Sequence, residues 1–112
     1  MLRMDTFHAL ADPNRRQIME MLAREGELSA TEIHSRFSVS APAVSQHLKV
    51  LREAGLVHME KRAQQRIYRV APEAMREVED WASAIRNQWA RRFDALDALL
   101  KEEGAKPPKE QE

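Results

Sequence analysis

The chain has 112 residues, of which 43% are hydrophobic and 32% charged, as expected for a single globular domain. It contains no cysteine, which excludes disulfides, thiolate metal sites and thiol redox sensing. No apolar run approaches the length of a membrane span and no signal-peptide pattern opens the sequence, so we expect a soluble, cytoplasmic protein with no membrane partner.

The net charge of zero conceals an uneven distribution along the chain. Residues 36–69 hold seven Lys and Arg against two Glu, whereas residues 1–35 and 70–112 are both net acidic. Basic charge concentrated in one segment is typical of a phosphate-binding surface. A chance cluster gives the same pattern, so the charge alone does not decide.

The first quarter of the chain predicts two helices. Residues 1–11 carry apolar side chains at helical spacing, but a helix of this length must pack on something to be stable. Asp12 and Pro13 then supply an N-cap and a first-turn proline. The second helix is predicted to run from there to Gly26, a residue type that commonly ends helices.

Two further helices follow closely. Ser29 and Glu32 have the spacing of a capping box, which predicts a short third helix ending near residues 38–39. Ser40 is a good N-cap for a fourth helix, and Gly55 provides its stop. Two short helices joined by a tight turn form the helix-turn-helix pattern.

The fourth helix is predicted to be amphipathic. Val44, Leu48 and Leu51 form one apolar stripe. The opposite side is polar and mostly basic, and its residues are Pro42, Ser45, Gln46, Lys49 and Arg52, with Glu53 the only acid. Such a helix suits the major groove of DNA, although an ordinary surface helix has the same pattern.

After Gly55 the hydrophobic pattern becomes alternating, which predicts two short strands joined by a turn at residues 63–66. No glycine marks this turn, so its type stays open. The basic residues around the tip are Lys61, Arg62, Arg66 and Arg69. A basic hairpin directly after a helix-turn-helix is typical of the wing of a winged helix, which contacts the DNA backbone or minor groove.

A long last helix is predicted from Pro72 to about residue 103. It carries a nearly continuous apolar stripe made of Val78, Trp81, Ile85, Trp89, Phe93, Leu96 and Leu99 or Leu100. Part of a stripe this long is core, but it exceeds what so small a domain can cover, which predicts a dimer interface. We expect one domain over residues 1–103 and a disordered tail over residues 104–112, where apolar side chains are nearly absent.

With these elements in order, the chain resembles the ArsR/SmtB family of bacterial winged-helix repressors. The resemblance covers about residues 7–70 and rests on ADPNRR, GELSATEI, SAPAVSQHLKVLREAGLV and the wing ending RIYRV. It implies a mainly α fold with a small β-hairpin, in the order α-α-α-α-β-β-α. It also implies a homodimer through the first and last helices, with Phe7 contributed by the first.

The resemblance assigns contacts with double-stranded DNA to the fourth helix. Ser45, Gln46 and Lys49 are the expected groove contacts, with Pro42 near the helix tip. A glutamine can pair bidentately with adenine, whereas phosphate contacts fix the register of the protein without selecting sequence. Ser45 is better suited to a phosphate contact than to a base contact.

The remaining expected contacts lie outside that groove. Ser40 and His47 are assigned to phosphates, although His47 lies off the centre of the outer face and has a structural role as its alternative. The expected wing contacts are Lys61, Arg62 and Arg66.

The chain departs from the family at its metal sites. Metal-sensing members carry two cysteines in the motif ELCVCDL, and Ser29 and Thr31 stand at those positions here. Other members bind zinc on the last helix, which has no histidine in this chain. Because hydroxyl groups are poor ligands for soft or borderline metals, we expect no metal cofactor.

We therefore predict a sequence-specific transcriptional regulator, namely a metal-independent dimeric repressor that binds an inverted-repeat operator. One alternative is a repressor released by a small organic effector bound near Trp81, Trp89 and Phe93, where interface packing is the simpler interpretation. Another is a winged-helix module that binds proteins. An enzyme is not expected, since the motifs of phosphate loops, zinc proteases and serine hydrolases are missing from the sequence.

Overall fold

The computed structural model describes residues 4–102, so the tail predicted at residues 104–112 lies outside the described residues. Five helices and three strands follow one another along the chain. They are α1 (Met4–Ala11), α2 (Pro13–Glu25), β1 (Leu28–Ser29), α3 (Ala30–Ser35), α4 (Ala41–Glu53), β2 (Val57–Arg62), β3 (Gln65–Val70) and α5 (Pro72–Glu102). The chain divides into two compact units with their boundary after Val78, inside α5.

Helix α2 begins and ends where the sequence predicts. The Asp12 side chain accepts hydrogen bonds from the backbone N–H groups of Asn14 at 2.8 Å and Arg15 at 3.2 Å. Pro13 occupies the first helical position, where its missing N–H costs nothing. Gly26 ends the helix with φ of 89°, a backbone conformation that strongly favours glycine.

The capping box of α3 is confirmed. The Ser29 hydroxyl accepts from the Glu32 N–H at 3.1 Å, and the Glu32 carboxylate accepts from the Ser29 N–H at 2.9 Å. The predicted end of α3 near residues 38–39 is wrong, because the helix ends at Ser35. There the Arg36 N–H bonds to the Ile33 carbonyl, which tightens the last turn and closes the helix.

Helix α4 has the predicted caps and the predicted buried face. The Ser40 hydroxyl accepts from the Ala43 N–H at 3.3 Å, and Gly55 has φ of 75° just after the helix. Val44, Leu48 and Leu51 are buried, as expected. With the apolar stripe fixed in the core, the polar side of α4 is directed outward.

The three strands form one antiparallel sheet in the order β1-β3-β2. Strand β1 was not predicted from the sequence. It pairs with β3, with Leu28 opposite Tyr68 and Ser29 opposite Ile67. The hairpin of β2 and β3 is confirmed, but its turn is shorter than the predicted residues 63–66, since Arg66 lies within β3 and pairs with Lys61.

The core of the first unit joins its helices to the sheet. Its largest fully buried side chains come from α2, α3, α4 and the segment before β2, and they are Ile18, Leu22, Ile33, Leu51 and Leu56. Full burial of one such side chain contributes about 1.5–3 kcal/mol relative to an exposed one. This core packs α4 against the sheet and the other helices of the first unit.

The second unit, over its described residues 79–102, is the continuing helix α5. Most of its large apolar side chains are exposed, whereas Leu100 is half-buried. The exposed ones are Trp81, Ile85, Trp89, Phe93, Leu96 and Leu99. Trp89 has the largest exposed fraction, 68%. Within residues 4–102, none of the helices combines the length and apolar character needed to cross a membrane.

Candidate nucleic-acid interface

An open groove of about 560 Å³ lies between the outer face of α4 and one face of the hairpin. Its lining residues are Pro42, Ser45, Gln46, Lys49, Arg52, Glu53, Arg66 and Tyr68. Four of these are among the predicted groove contacts, and Arg66 is a predicted wing contact. The structure therefore brings together five side chains that the sequence assigned to DNA.

The lining also includes Arg52, Glu53 and Tyr68, which were not among the predicted contacts. Arg52 and Glu53 stand on the outer face of the α4 wheel, so the wheel alone could have identified them. Tyr68 is buried and lies on the same face of β3 as Arg66, because residues two apart on a strand share a face. Strand alternation could therefore have identified Tyr68 once the register was known. The groove thus has two more charged members than predicted.

The register of the hairpin sorts its basic residues onto two faces. Lys61 pairs with Arg66, so these two side chains share the face that borders the groove. Arg62 pairs with Gln65 and lies on the other face. The three predicted wing contacts therefore do not form one cluster.

Arg62 is held by two carboxylates. Its Nη1 and Nη2 donate to the two carboxylate oxygens of Glu27 at 2.5 and 3.0 Å, and Nη2 also donates to Glu60 at 3.2 Å. The hydrogen bond from Arg62 holds the pKa of the Glu27 carboxyl below its usual range, and the two carboxylates raise the pKa of Arg62. In the described structure this arginine is engaged within the chain.

His47 is half-buried and points toward the start of α2. Its Nδ1 lies 3.4 Å from Arg15 Nη1, and Arg15 itself donates from Nε to the carbonyl of Ala9 at 2.7 Å. Desolvation by burial raises the pKa of Asp12, but the hydrogen bonds from the backbone N–H groups of Arg15 and Asn14, together with electrostatic interaction with His47 and Arg15, lower it overall. These contacts favour the structural role for His47.

Ser40 is exposed at the N-terminus of α4, two residues before Pro42, which lines the groove. Its hydroxyl oxygen accepts the capping hydrogen bond from Ala43, which leaves the O–H proton available as a donor. A hydroxyl in that state can donate to a phosphate oxygen without loss of the cap.

The predicted dimer residues have two kinds of environment. Phe7 of α1 and Val78 of α5 are half-buried within the first unit. The remaining members of the stripe are exposed along the second unit, where Ile85 and Phe93 are both 49% exposed. Exposed apolar side chains in one row are typical of a surface that binds another protein chain.

The part of the chain that the structure describes contains no cluster of three or more His, Asp or Glu side chains able to hold a metal ion. At the positions of the family's metal-binding cysteines, Ser29 is buried and engaged in the capping box, whereas Thr31 is exposed.

Comparison with known proteins agrees with this geometry. A helix-turn-helix domain family model matches residues 10–60. The HTH-type transcriptional regulator Rv2034 of Mycobacterium tuberculosis is 37% identical over 102 residues, which are 88% of this chain and 88% of that regulator. The arsenic resistance transcriptional regulator ArsR1 of Pseudomonas putida is 38% identical over 79 residues, or 70% of this chain, which spans 59% of that regulator's length.

The same similarity holds for solved structures. An ArsR-like transcriptional regulator from Rhodococcus sp. RHA1 superposes with a TM-score of 0.73 at 29% identity, covering 85% of this chain and 89% of that one. The predicted winged helix-turn-helix fold and the predicted function as a DNA-binding transcriptional regulator are thereby confirmed. The chain belongs to the ArsR/SmtB family of winged helix-turn-helix transcriptional regulators.

Proposed function

We propose that this regulator is a homodimeric repressor that inserts α4 of each copy into successive major grooves of an inverted-repeat operator. The observation that carries the proposal is the groove in which the polar face of α4 stands beside Arg66 of β3. Such a surface can contact base edges and the phosphate backbone at once. In helix-turn-helix dimers, the two recognition helices lie about 34–36 Å apart, one turn of DNA.

Within this interface, each side chain has a role suited to its chemistry. Gln46 is the base-specific residue, because its amide both donates and accepts and so matches the edge of adenine. Lys49 and Ser45 contact the groove or its phosphates, and Pro42 lies at the helix tip. Ser40 donates to the phosphate backbone.

The wing contacts belong to Lys61 and Arg66, which share the face bordering the groove. Arg62 was expected to join them, but its guanidinium is engaged by Glu27 and Glu60 on the other face. We therefore do not include Arg62 among the DNA contacts of this proposal.

The dimer forms through α1 and α5. The exposed stripe of α5 repeats at spacings of three and four, so two copies related by a two-fold axis can pack the same residues against each other. Trp81, Trp89 and Phe93 then form interface packing. This packing of the stripe requires no organic effector. Binding of a small organic effector near these rings stays a prediction, which a titration followed by tryptophan fluorescence would test.

Release of this repressor does not use thiolate chemistry. The Pseudomonas putida relative is named for arsenic resistance, but this sequence has no cysteine to bind an arsenical or a thiophilic metal. We propose a metal-independent regulator located in the cytoplasm, with no catalytic step of its own.

The proposal is tested by titrating the purified protein onto DNA from immediately upstream of its own gene, at several salt concentrations, with and without a chelator. We expect salt-dependent binding that exceeds binding to scrambled DNA and does not respond to the chelator. Sedimentation of the free protein should give a dimer. Equal affinity for both DNAs, or loss of binding upon addition of zinc, would contradict the proposal.

A further inference from the structure

The face of the hairpin that points away from the groove carries a cluster of charged side chains. The outer cluster consists of Glu27, His58, Glu60, Arg62, Arg69 and Glu73, and the proposed DNA contacts do not use it. It contains three acidic residues, of which Glu60 lies within the basic segment of residues 36–69 and Glu27 and Glu73 lie outside it. Acids at the edge of a DNA-binding surface reduce its affinity for phosphate, so their placement affects binding directly.

Within the outer cluster, Arg62 has all three side-chain nitrogens engaged. Nη1 and Nη2 form a bidentate pair with Glu27, while Nη2 and Nε donate to Glu60 at 3.2 and 3.4 Å. The planar fork of a guanidinium binds a carboxylate and a phosphate in the same bidentate manner. Glu27 therefore occupies the edge of Arg62 that a DNA phosphate would take.

The position of this pair along the sheet is equally informative. Arg62 is the last residue of β2 and pairs with Gln65 at the hairpin tip, whereas Glu27 lies directly before β1, on the far side of β3. The arginine side chain consequently extends back across the sheet, away from the tip. Together, Arg62, Glu27 and Glu60 carry a net charge of −1 in place of a free cation.

We propose that Glu27, aided by Glu60, occupies the phosphate-binding edge of Arg62 and thereby lowers the affinity of the regulator for DNA of any sequence. This inference rests on the proposed function of the groove. A phosphate contact carries no sequence information, so masking it reduces non-specific binding and leaves the base contacts of α4 in place. Glu27 thus limits binding to the DNA backbone without itself touching DNA.

The expected effect follows from counterion release. Each added phosphate contact steepens the dependence of log K on log salt by about 0.9, which corresponds to roughly five- to tenfold tighter binding per chain at 0.1–0.15 M salt. Glu27→Gln should therefore tighten binding to random-sequence duplex by about this factor and steepen its salt dependence. The ratio of operator to random-DNA affinity should stay close to that of the wild type, because an added phosphate contact tightens binding to both DNAs.

The experiment compares Glu27→Gln, Arg62→Gln and the double variant on random duplex and on the operator, across a salt series. The double variant is the critical control, since it keeps the net charge of the wild type and should bind random duplex as the wild type does. Glu20→Gln, on the exposed side of α2, controls for the loss of one negative charge elsewhere. Thermal unfolding of each variant shows whether it is folded.

Tighter random-DNA binding by Glu27→Gln alone, reversed in the double variant and absent in Glu20→Gln, supports the inference. Unchanged or weaker binding by a folded Glu27→Gln overturns it, as does equal tightening in Glu20→Gln. If the wild type fails to distinguish the operator from random DNA, the proposed function fails together with this inference. If the wild type distinguishes them and Glu27→Gln has no effect, only the inference fails.

Discussion

Replacement of Gln46 by alanine should abolish selectivity at a single base pair of each operator half-site. Gln46 is exposed in the middle of the groove-facing side of α4, and its neighbours Val44 and Leu48 are buried and fix the helix. Truncation of the amide therefore removes base contacts with little effect on the helix itself. A bidentate contact is worth about 1–3 kcal/mol of discrimination, or about 5- to 150-fold in affinity between the correct and the wrong base.

The assay is competition binding of the wild type and Gln46→Ala to a panel of operators, each with one base pair changed. We expect the wild type to show a penalty at several positions and the variant to lose its penalty at one of them. Lys49→Gln is the matched control, because loss of a cation should weaken binding to all operators alike. If Gln46→Ala weakened binding uniformly across the panel, or Lys49→Gln altered the base preference, the roles assigned to these residues would be refuted.

Three further outcomes are expected. Ser29→Ala removes the capping hydrogen bond of α3 and should lower the free energy of unfolding by about 0.5–2 kcal/mol in urea titrations, and no change would show that the cap is unimportant. Ile85→Glu places a charge in the exposed stripe of α5 and should convert the dimer into a monomer in sedimentation, whereas the dimer should persist if the stripe is not the interface. The pKa of the Glu73 carboxyl is lowered by a hydrogen bond from its own backbone N–H and by its contact with His58, against the opposing effect of desolvation. The contribution of this carboxylate to stability is therefore present above the ordinary glutamate pKa of about 4.3 and is lost as the pH falls through the lowered value. Glu73→Gln should accordingly reduce Tm at pH 7 but not at an acidic pH below the lowered pKa, and an equal loss at both would show that the charge is irrelevant.

The features that the sequence predicted correctly are those whose causes lie within a few residues. Asp12 caps α2 by accepting from N–H groups two and three residues later in the chain. Ser29 and Glu32 cap α3 by bonding to each other, and Gly55 ends α4 by its own backbone conformation. Such local hydrogen bonds and dihedral preferences can be seen in the order of residues alone. The winged helix-turn-helix fold follows from several of these signals in sequence.

Two of the features that were missed depend on pairing between distant segments. Strand β1 has only two residues, and it exists because Leu28 and Ser29 pair with β3, about forty positions later. The partner of Arg62 is Glu27, separated from it by 35 residues. A count of basic residues near a predicted turn cannot reveal which of them is already bound to a carboxylate.

The two-residue tip of the hairpin has a consequence for variation among winged helices. Ala63 adopts φ of 54° at this tip, and the tip sets the register that places Lys61 opposite Arg66. Because side chains alternate along a strand, a shift of β2 by one residue against β3 would exchange the two faces of β2 and direct Arg62, in place of Lys61, toward the groove. The register, and not only the number of cations, thus determines which cations this wing presents to a ligand.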